Sequence, residues 1–287
     1  MGTLTSVQLV RYENGVKHAY QSGGSNLDAT VRVKPAPQPG TFEFRKFGIL
    51  DMIPRGDFRS VLESLAANHE MVPCTVSPFV LPIATDEFEQ AGSGGEAPLE
   101  QPESATACGF AMRRQRDYSV ISALEAGAPS VTVTAGAGLT VLKLAEILIP
   151  FDKYEMRSVS GSATGDSQVT TLITEKGHNN LLADAVTQNI NTSNFKSLVD
   201  GMVEQFCGHR LILIGTGRGS RGLGITDTTR RCYSYVKSAL GQAVSIEPQI
   251  EYGREILMTS DILMGKLMVG SVLVDVLGAV KTNVTES

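Results

Sequence analysis

Gly217, Gly219 and Gly222 follow a short apolar run and fit the spacing G-x-G-x-x-G. In a dinucleotide site such glycines open a helix whose N-terminal N–H groups face a pyrophosphate. That chemistry needs the helix at once and an acid about 20 residues further on for the ribose. Here Leu223-Gly-Ile-Thr-Asp-Thr-Thr229 stands between the glycines and any helical pattern, and no strand ending in an acid follows. The Gly215–Gly222 loop is therefore expected to carry Arg218 and Arg221 to a partner or a symmetry axis. A nucleotide-binding enzyme using this loop is the alternative from another class.

The remaining reactive side chains assemble no chemistry. His18, His69, His178 and His209 make no i, i+4 pair and have no cysteine at zinc spacing. Ser160-Gly-Ser162 lacks the strand–turn–helix pattern of a nucleophile elbow. Asp86, Glu87 and Glu89 lie in a solvated acid run, and Arg55-Gly-Asp57 reads as a chance tripeptide. Cys74, Cys108, Cys207 and Cys232 are far apart without a C-x-x-C pair, and are expected to be reduced core residues. Arg113, Arg114 and Arg116 point different ways at helical spacing, which favours salt bridges over a nucleic-acid stripe. No catalytic residue, cofactor site or metal site is expected.

The elements around these residues are legible from periodicity. Ala29, Val31 and Val33 alternate with polar residues, as do Phe42 and Phe44 beyond Pro35-Ala-Pro-Gln-Pro-Gly40. Two strands joined in a long hairpin are expected there, with the prolines stiffening its tip. Ala91-Gly-Ser-Gly-Gly95 with Pro98 and Pro102 reads as a linker within residues 83–103. The longest helix is expected over 104–127, N-capped by Ser104 or Thr106 and ended by Gly127 and Pro129. Its apolar stripe is Ala107, Phe110, Ala111, Tyr118, Ile121 and Leu124, with Arg113, Arg116 and Asp117 mostly elsewhere. A strand at 131–134, a helix from Thr140 to Leu148, helical pieces at 181–185 and 195–199, and a strand at 210–214 follow. A third helix is expected over Thr229–Ala243, with Cys232, Val236, Ala239 and Leu240 on one face. Strands at 244–252, 255–263, 267–274 and 279–284 close an α+β chain.

Composition sets the outer bounds. With 287 residues, one large or two modest domains are expected, and no disulfide or metal is needed for folding. Mean hydropathy is +0.01, and no run approaches the ~18 apolar residues of a membrane helix. Met1-Gly-Thr-Leu-Thr-Ser6 lacks the pattern of a secretory leader. Net charge is −5, which argues against tight binding to a nucleic-acid backbone. It is unevenly spread: residues 1–60 hold eight bases and five acids (+3), whereas 61–112 hold eight acids and no Lys or Arg (−8). A basic arm beside an acidic stretch suits subunits meeting one another.

This order of parts resembles the major capsid proteins of tailed bacteriophages with the Hong Kong 97-like fold. The residues carrying the resemblance are Val16-Lys-His-Ala-Tyr-Gln21, Leu27-Asp-Ala-Thr-Val-Arg-Val33, Gly109–Leu124 with its Arg, Asp and Ala-Leu end, and the Val-rich tail Gly265–Val284. Three arginines in the long helix, where one would suffice, and the polar stretch 158–194 depart from the pattern. The resemblance implies an N-terminal arm at 1–27 and an extended loop at 28–60 reaching over a neighbour. It further implies a peripheral domain from 61–135 and 246–287 with a spine helix at 104–127, and an axial domain at 136–245. The implied function is self-assembly into hexamers and pentamers of an icosahedral head around double-stranded DNA, in the virion after synthesis in a host cytoplasm. Scaffolding, portal and decoration proteins are implied partners, packaged DNA is a non-specific one, and no membrane or cofactor takes part. Arg32, Lys34, Arg45, Lys46, Arg113, Arg116, Arg218 and Arg221 are the candidate assembly residues. An encapsulin-type nanocompartment shell is the related alternative, and no isopeptide cross-link is transferred.

Overall fold

A computed structural model describes residues 27–36, 40–47, 69–86, 102–129, 131–135, 138–156, 168–184, 205–255 and 260–286. The expected arm, the Arg55-Gly-Asp57 tripeptide, the Ala91–Gly95 linker, Ser160-Gly-Ser162 and the helical piece at 195–199 lie outside these residues.

Two larger sheets and one ribbon organise the described residues. The four-stranded sheet runs β1 (Arg32–Pro35), β11 (Leu240–Glu255), β12 (Ser260–Leu273) and β4 (Ser77–Asp86). The seven-stranded sheet is ordered β5 (Val131–Ala135), β13 (Ala279–Thr285), β10 (Thr229–Val236), β6 (Val169–Ile173), β8 (His209–Leu213) and β7 (Gln205–Phe206), with β9 (Ile225–Thr226) on β10. The ribbon is β2 (Thr41–Phe47) against β3 (His69–Thr75). Among the described residues there are three α-helices: α1 (Pro102–Ala126), α2 (Val141–Lys153) and α3 (Glu175–Ala183).

Several expectations change here. β1 and β2 do not form a hairpin: β1 pairs in parallel with β11, Arg32 opposite Gly241, and β2 pairs with β3, Phe44 opposite Val72. The strands on either side of the proline run belong to two different sheets. The helix expected over Thr229–Ala243 is strand β10, a short 3-10 turn and the start of β11. β10 lies between β13 and β6, and its last five residues are all buried. A strand covered on both faces has no period-two alternation to announce it. The strands expected at 255–263 and 267–274 are one strand, β12, along most of which β4 and β11 pair. The C-terminal strands also divide, β12 to the smaller sheet and β13 to the larger.

α2 follows its periodicity. Thr140 caps it by accepting from Lys143 N–H at 3.4 Å, and Asp184 accepts from Val141 N–H at 3.0 Å. Val141, Leu144, Ile147, Leu148 and Phe151 are buried. Burial of Phe151 carries the helix past Pro150 to Lys153, beyond the end expected at Leu148. α1 is as long as expected, yet its buried side differs. Phe110 is 42% exposed, whereas Gln115, Arg116 and Asp117 are buried with Val120, Ile121 and Leu124. Its first turn begins at Pro102, ahead of the expected caps Ser104 and Thr106.

The main core joins the C-terminal half of α1, α2 and the seven-stranded sheet. At its centre His209 is fully buried: Nε2–H donates to the Leu144 carbonyl at 2.9 Å, and Nδ1 meets the Thr171 hydroxyl at 2.8 Å. A second core holds the ribbon's base, with Phe44, Cys74, Ala243 and Met268. Two glycines permit that approach. A Cβ on Gly270 would stand 2.1 Å from the Thr75 carbonyl oxygen, and one on Gly241 2.7 Å from the Phe44 ring.

Candidate assembly surfaces

The candidate residues part into those turned inward and those turned outward. Arg116 is turned inward, 5% exposed. Its guanidinium meets Asp28 at 2.9 Å and donates to Gln242 Oε1 at 2.9 Å. Beside it the Asp117 carboxylate accepts from Leu27 N–H at 3.3 Å. Thr30 donates to the Leu27 carbonyl and so accepts from the Tyr235 hydroxyl at 2.7 Å. These contacts clasp the start of the described chain to α1 and both sheets. Arg116 is thus occupied inside the subunit, because burying Leu27 and Thr30 leaves their polar neighbours to be satisfied there. The clasp residues Asp28, Asp117 and Gln242 carry no sequence signal, since each lies on a different element.

Arg32 and Lys34 lie over the Phe44 ring, 5.7 and 5.9 Å from its centroid. Lys46 pairs with Asp275 at 3.0 Å, tying the ribbon to the β12–β13 turn. Arg45 and Met71, opposite each other, are exposed on the ribbon's outer face. Arg113 lies 5.9 Å from the centroid of Phe110 on the open side of α1. Arg221 is exposed and lines a groove of about 140 Å³ with Ala111, Met112 and Gln115 of α1. The side chain of Arg218 lies outside the described residues.

The glycine loop does not build a phosphate cradle. Thr216–Arg221 forms 3-10 turns, Gly219 has φ 59°, and strands β9 and β10 follow. Instead, Glu175 at the start of α3 accepts from the Thr216 backbone N–H at 3.1 Å and from its hydroxyl. Desolvation raises the Glu175 carboxyl, but the Thr216 hydrogen bonds and the Arg230 charge outweigh it and hold the carboxyl below its usual range. Nearby Glu286 accepts from Arg230 Nε at 3.1 Å and from the Thr174 hydroxyl.

Burial pushes the Cys74 thiol up to about 11 and the Cys232 thiol to about 12, so both are poor nucleophiles at neutral pH. Cys108 is buried too, whereas Cys207 is exposed in the β7–β8 turn, contrary to the expectation of a core residue. Among the described residues no cluster of His, Cys, Asp and Glu is placed to hold a metal, and no helix is long and apolar enough to cross a membrane.

Sequence reasoning passes over one surface. Leu142 and Ile149 on α2 are 73% and 63% exposed, the most exposed large hydrophobic side chains among the described residues. The signal was available: α2 has more apolar residues than one stripe of a helix can bury.

The described residues form a subunit with its own core and a ribbon docked on it. The chain matches the family model for phage capsid protein over residues 5–286, and it belongs to that family. It is a phage capsid protein, and its α+β fold is the Hong Kong 97-like fold of solved phage capsids. Among solved structures it resembles the capsid of cyanophage P-SCSP1u (13% identity, TM-score 0.68, covering 92% of this chain and 89% of that chain). It also resembles the capsid of Helicobacter pylori bacteriophage KHP30 (12% identity, TM-score 0.67, 90% and 89% covered). A virus-like particle from Pyrococcus furiosus is similar at 13% identity and TM-score 0.59, with 95% and 98% covered. The family match is to phage capsids, so the encapsulin alternative is the less favoured. No curated protein matches the chain in sequence.

Proposed function

We propose that copies of this chain form the hexamers and pentamers of an icosahedral head around double-stranded DNA. In this reading α1 and the four-stranded sheet form the peripheral domain, and α2, α3 and the seven-stranded sheet the axial domain. Residues 1–27 are the arm. The extended loop is the β2–β3 ribbon with the residues between its strands, shifted from the expected 28–60. Arg45 and Arg221, exposed and outside the clasp, are the assembly residues, meeting the acid-rich stretch of neighbouring copies. Scaffolding, portal and decoration proteins are the head's further partners. Synthesis precedes assembly in the host cytoplasm.

The observation that carries this reading is the ribbon. Among the described residues β2 and β3 pair only with each other, and a two-stranded ribbon is marginal unless it lies on something else. Its base is buried in the subunit, while Arg45 and Met71 face outward. A net charge of −5 lets the wall hold a polyanion without adhering to it.

Purified full-length chain is expected to yield closed particles by negative-stain microscopy and a megadalton species by mass measurement. A homogeneous monomer or dimer under all assembly conditions would refute the proposal. Arg45→Glu with Arg221→Glu is expected to leave subunit melting unchanged and lower particle yield.

A further inference from the structure

We infer that Glu286 locks a strap, Thr216–Leu223, beside α1, and that releasing this one carboxylate frees both ends of the strap. Packing does not hold the strap. A Cβ on Gly215, Gly217 or Gly219 would meet nothing within 4 Å. Gly219, at φ 59° and ψ −129°, turns the chain, and Gly222 N–H closes back on the Gly219 carbonyl at 3.1 Å. Among the described residues no backbone–backbone hydrogen bond joins Gly217–Arg221 to another element. A segment with so few contacts opens at low cost unless its ends are tied.

Both ties lead to Glu286. At the exit, Arg230 Nη1 donates to the Leu223 carbonyl at 2.8 Å while its Nε donates to Glu286 Oε2 at 3.1 Å. At the entry, Glu175 accepts from the Thr216 N–H at 3.1 Å and from its hydroxyl. Glu175 is the first residue of α3, and Thr174 before it is the N-cap, accepting from Gly177 N–H at 3.2 Å. The Thr174 hydroxyl donates its own proton to Glu286 Oε1. One carboxylate therefore orients both the cap that places Glu175 and the guanidinium that holds Leu223. Glu286 is itself fixed just past β13, where its N–H donates to the Thr228 carbonyl at 2.8 Å. The pair is withdrawn from water, with side-chain exposures of 11% for Arg230 and 2% for Glu286. Removing the acid leaves a buried guanidinium uncompensated, and it turns to water and lets Leu223 go.

What the lock controls is Arg221. The strap runs alongside α1, and Arg221 lines the groove there with Met112 and Gln115 of α1 and Lys266 of β12. Locked, the strap keeps this guanidinium at the four-stranded sheet. Unlocked, it carries Arg221 away from α1.

The test is amide hydrogen exchange, read by mass spectrometry on the full-length chain as dissociated subunits. E286A is expected to exchange at least tenfold faster than wild type over 216–223, with α2 and β8 unchanged. Tryptic cleavage after Arg221 is expected to quicken in parallel. Wild-type exchange over 216–223 overturns the inference. An equal rise in α2 and β8 also overturns it, because Glu286 then supports the fold as a whole and not the strap. Should E286A not fold, R230Q gives a second readout. Its shorter side chain keeps a donor near Glu286 and gives up the Leu223 carbonyl, so exchange is expected to rise at least tenfold over 221–224. Wild-type exchange there overturns the inference.

Discussion

Phe44 and Gly241 couple the ribbon to the four-stranded sheet, and a double-mutant cycle between them measures that coupling. Phe44 is fully buried, 5.1 Å from the Phe42 ring centroid in an edge-on contact, with Arg32 and Lys34 also over its ring. A Cβ on Gly241 would stand 2.7 Å from Cε1 and Cζ of that ring. Carbon atoms sit comfortably at about 3.5–4.0 Å, so Gly241→Ala must displace the ring by roughly 1 Å. Overpacking of this kind costs about 1–3 kcal/mol. Phe44→Ala costs about 3–5 kcal/mol on its own. In the Phe44→Ala background the obstructing ring is gone, and Gly241→Ala is expected to be nearly free. The coupling is then about 1–3 kcal/mol, read from urea unfolding of dissociated subunits at a common slope. If Gly241→Ala costs the same in both backgrounds to within about 0.5 kcal/mol, the reasoning fails. Gly241 would then matter through its backbone freedom alone.

Three further outcomes are expected. Asp28→Ala removes the carboxylate paired with the Arg116 guanidinium while the Gln242 bond remains, and should destabilise by no more than the lower end of the ~3–5 kcal/mol typical of broken buried pairs, since Asp28 keeps 28% exposure; Arg116→Met, which removes the charge and keeps volume, should cost less in the same urea assay. Glu175 is held below the usual ~4.3, so its contribution is present above that pH and is lost as pH falls through the lowered value. Thr216→Val weakens that contribution, so the variant should melt lower at pH 7 and lose less between pH 7 and pH 3 than wild type; parallel losses would count against it. His209→Leu removes the buried imidazole that bridges the Leu144 carbonyl and the Thr171 hydroxyl and should cost about 1–3 kcal/mol, with faster amide exchange in β8.

Local patterns were readable where one element meets the core on one side. α2 showed its stripe in Val141, Leu144, Ile147 and Leu148, and β8 appeared within a residue of its place. β10 did not, because Cys232, Val236, Ala239 and Leu240 happen to recur at helical spacing while the strand is covered on both faces. Its Thr, Tyr and Val content favoured a strand, and that propensity outweighs a stripe of four residues. The pairing of β1 with β11 joins Arg32 to Gly241, far apart in sequence, and no local rule reaches across such a gap. The assembly candidates divided for the same reason. Arg116 looks like its neighbours Arg113 and Arg114 until Asp28 and Gln242 are brought to it from two other elements.

β4 forms one border of the four-stranded sheet, with Pro78 opposite Met268 and Pro82 opposite Met264. Proline has no N–H to give to β12, so it fits this ladder where its nitrogen faces the open border. Of the five residues of β4 on that register, from Pro78 to Asp86, two therefore offer no donor. An incoming strand would find an interrupted row of donors on this border, which disfavours extending the sheet there. A neighbour meeting this border is expected to do so through side chains, whose contacts can slide and re-form, more than through a shared ladder. A shell joined this way can correct a misplaced subunit while it grows.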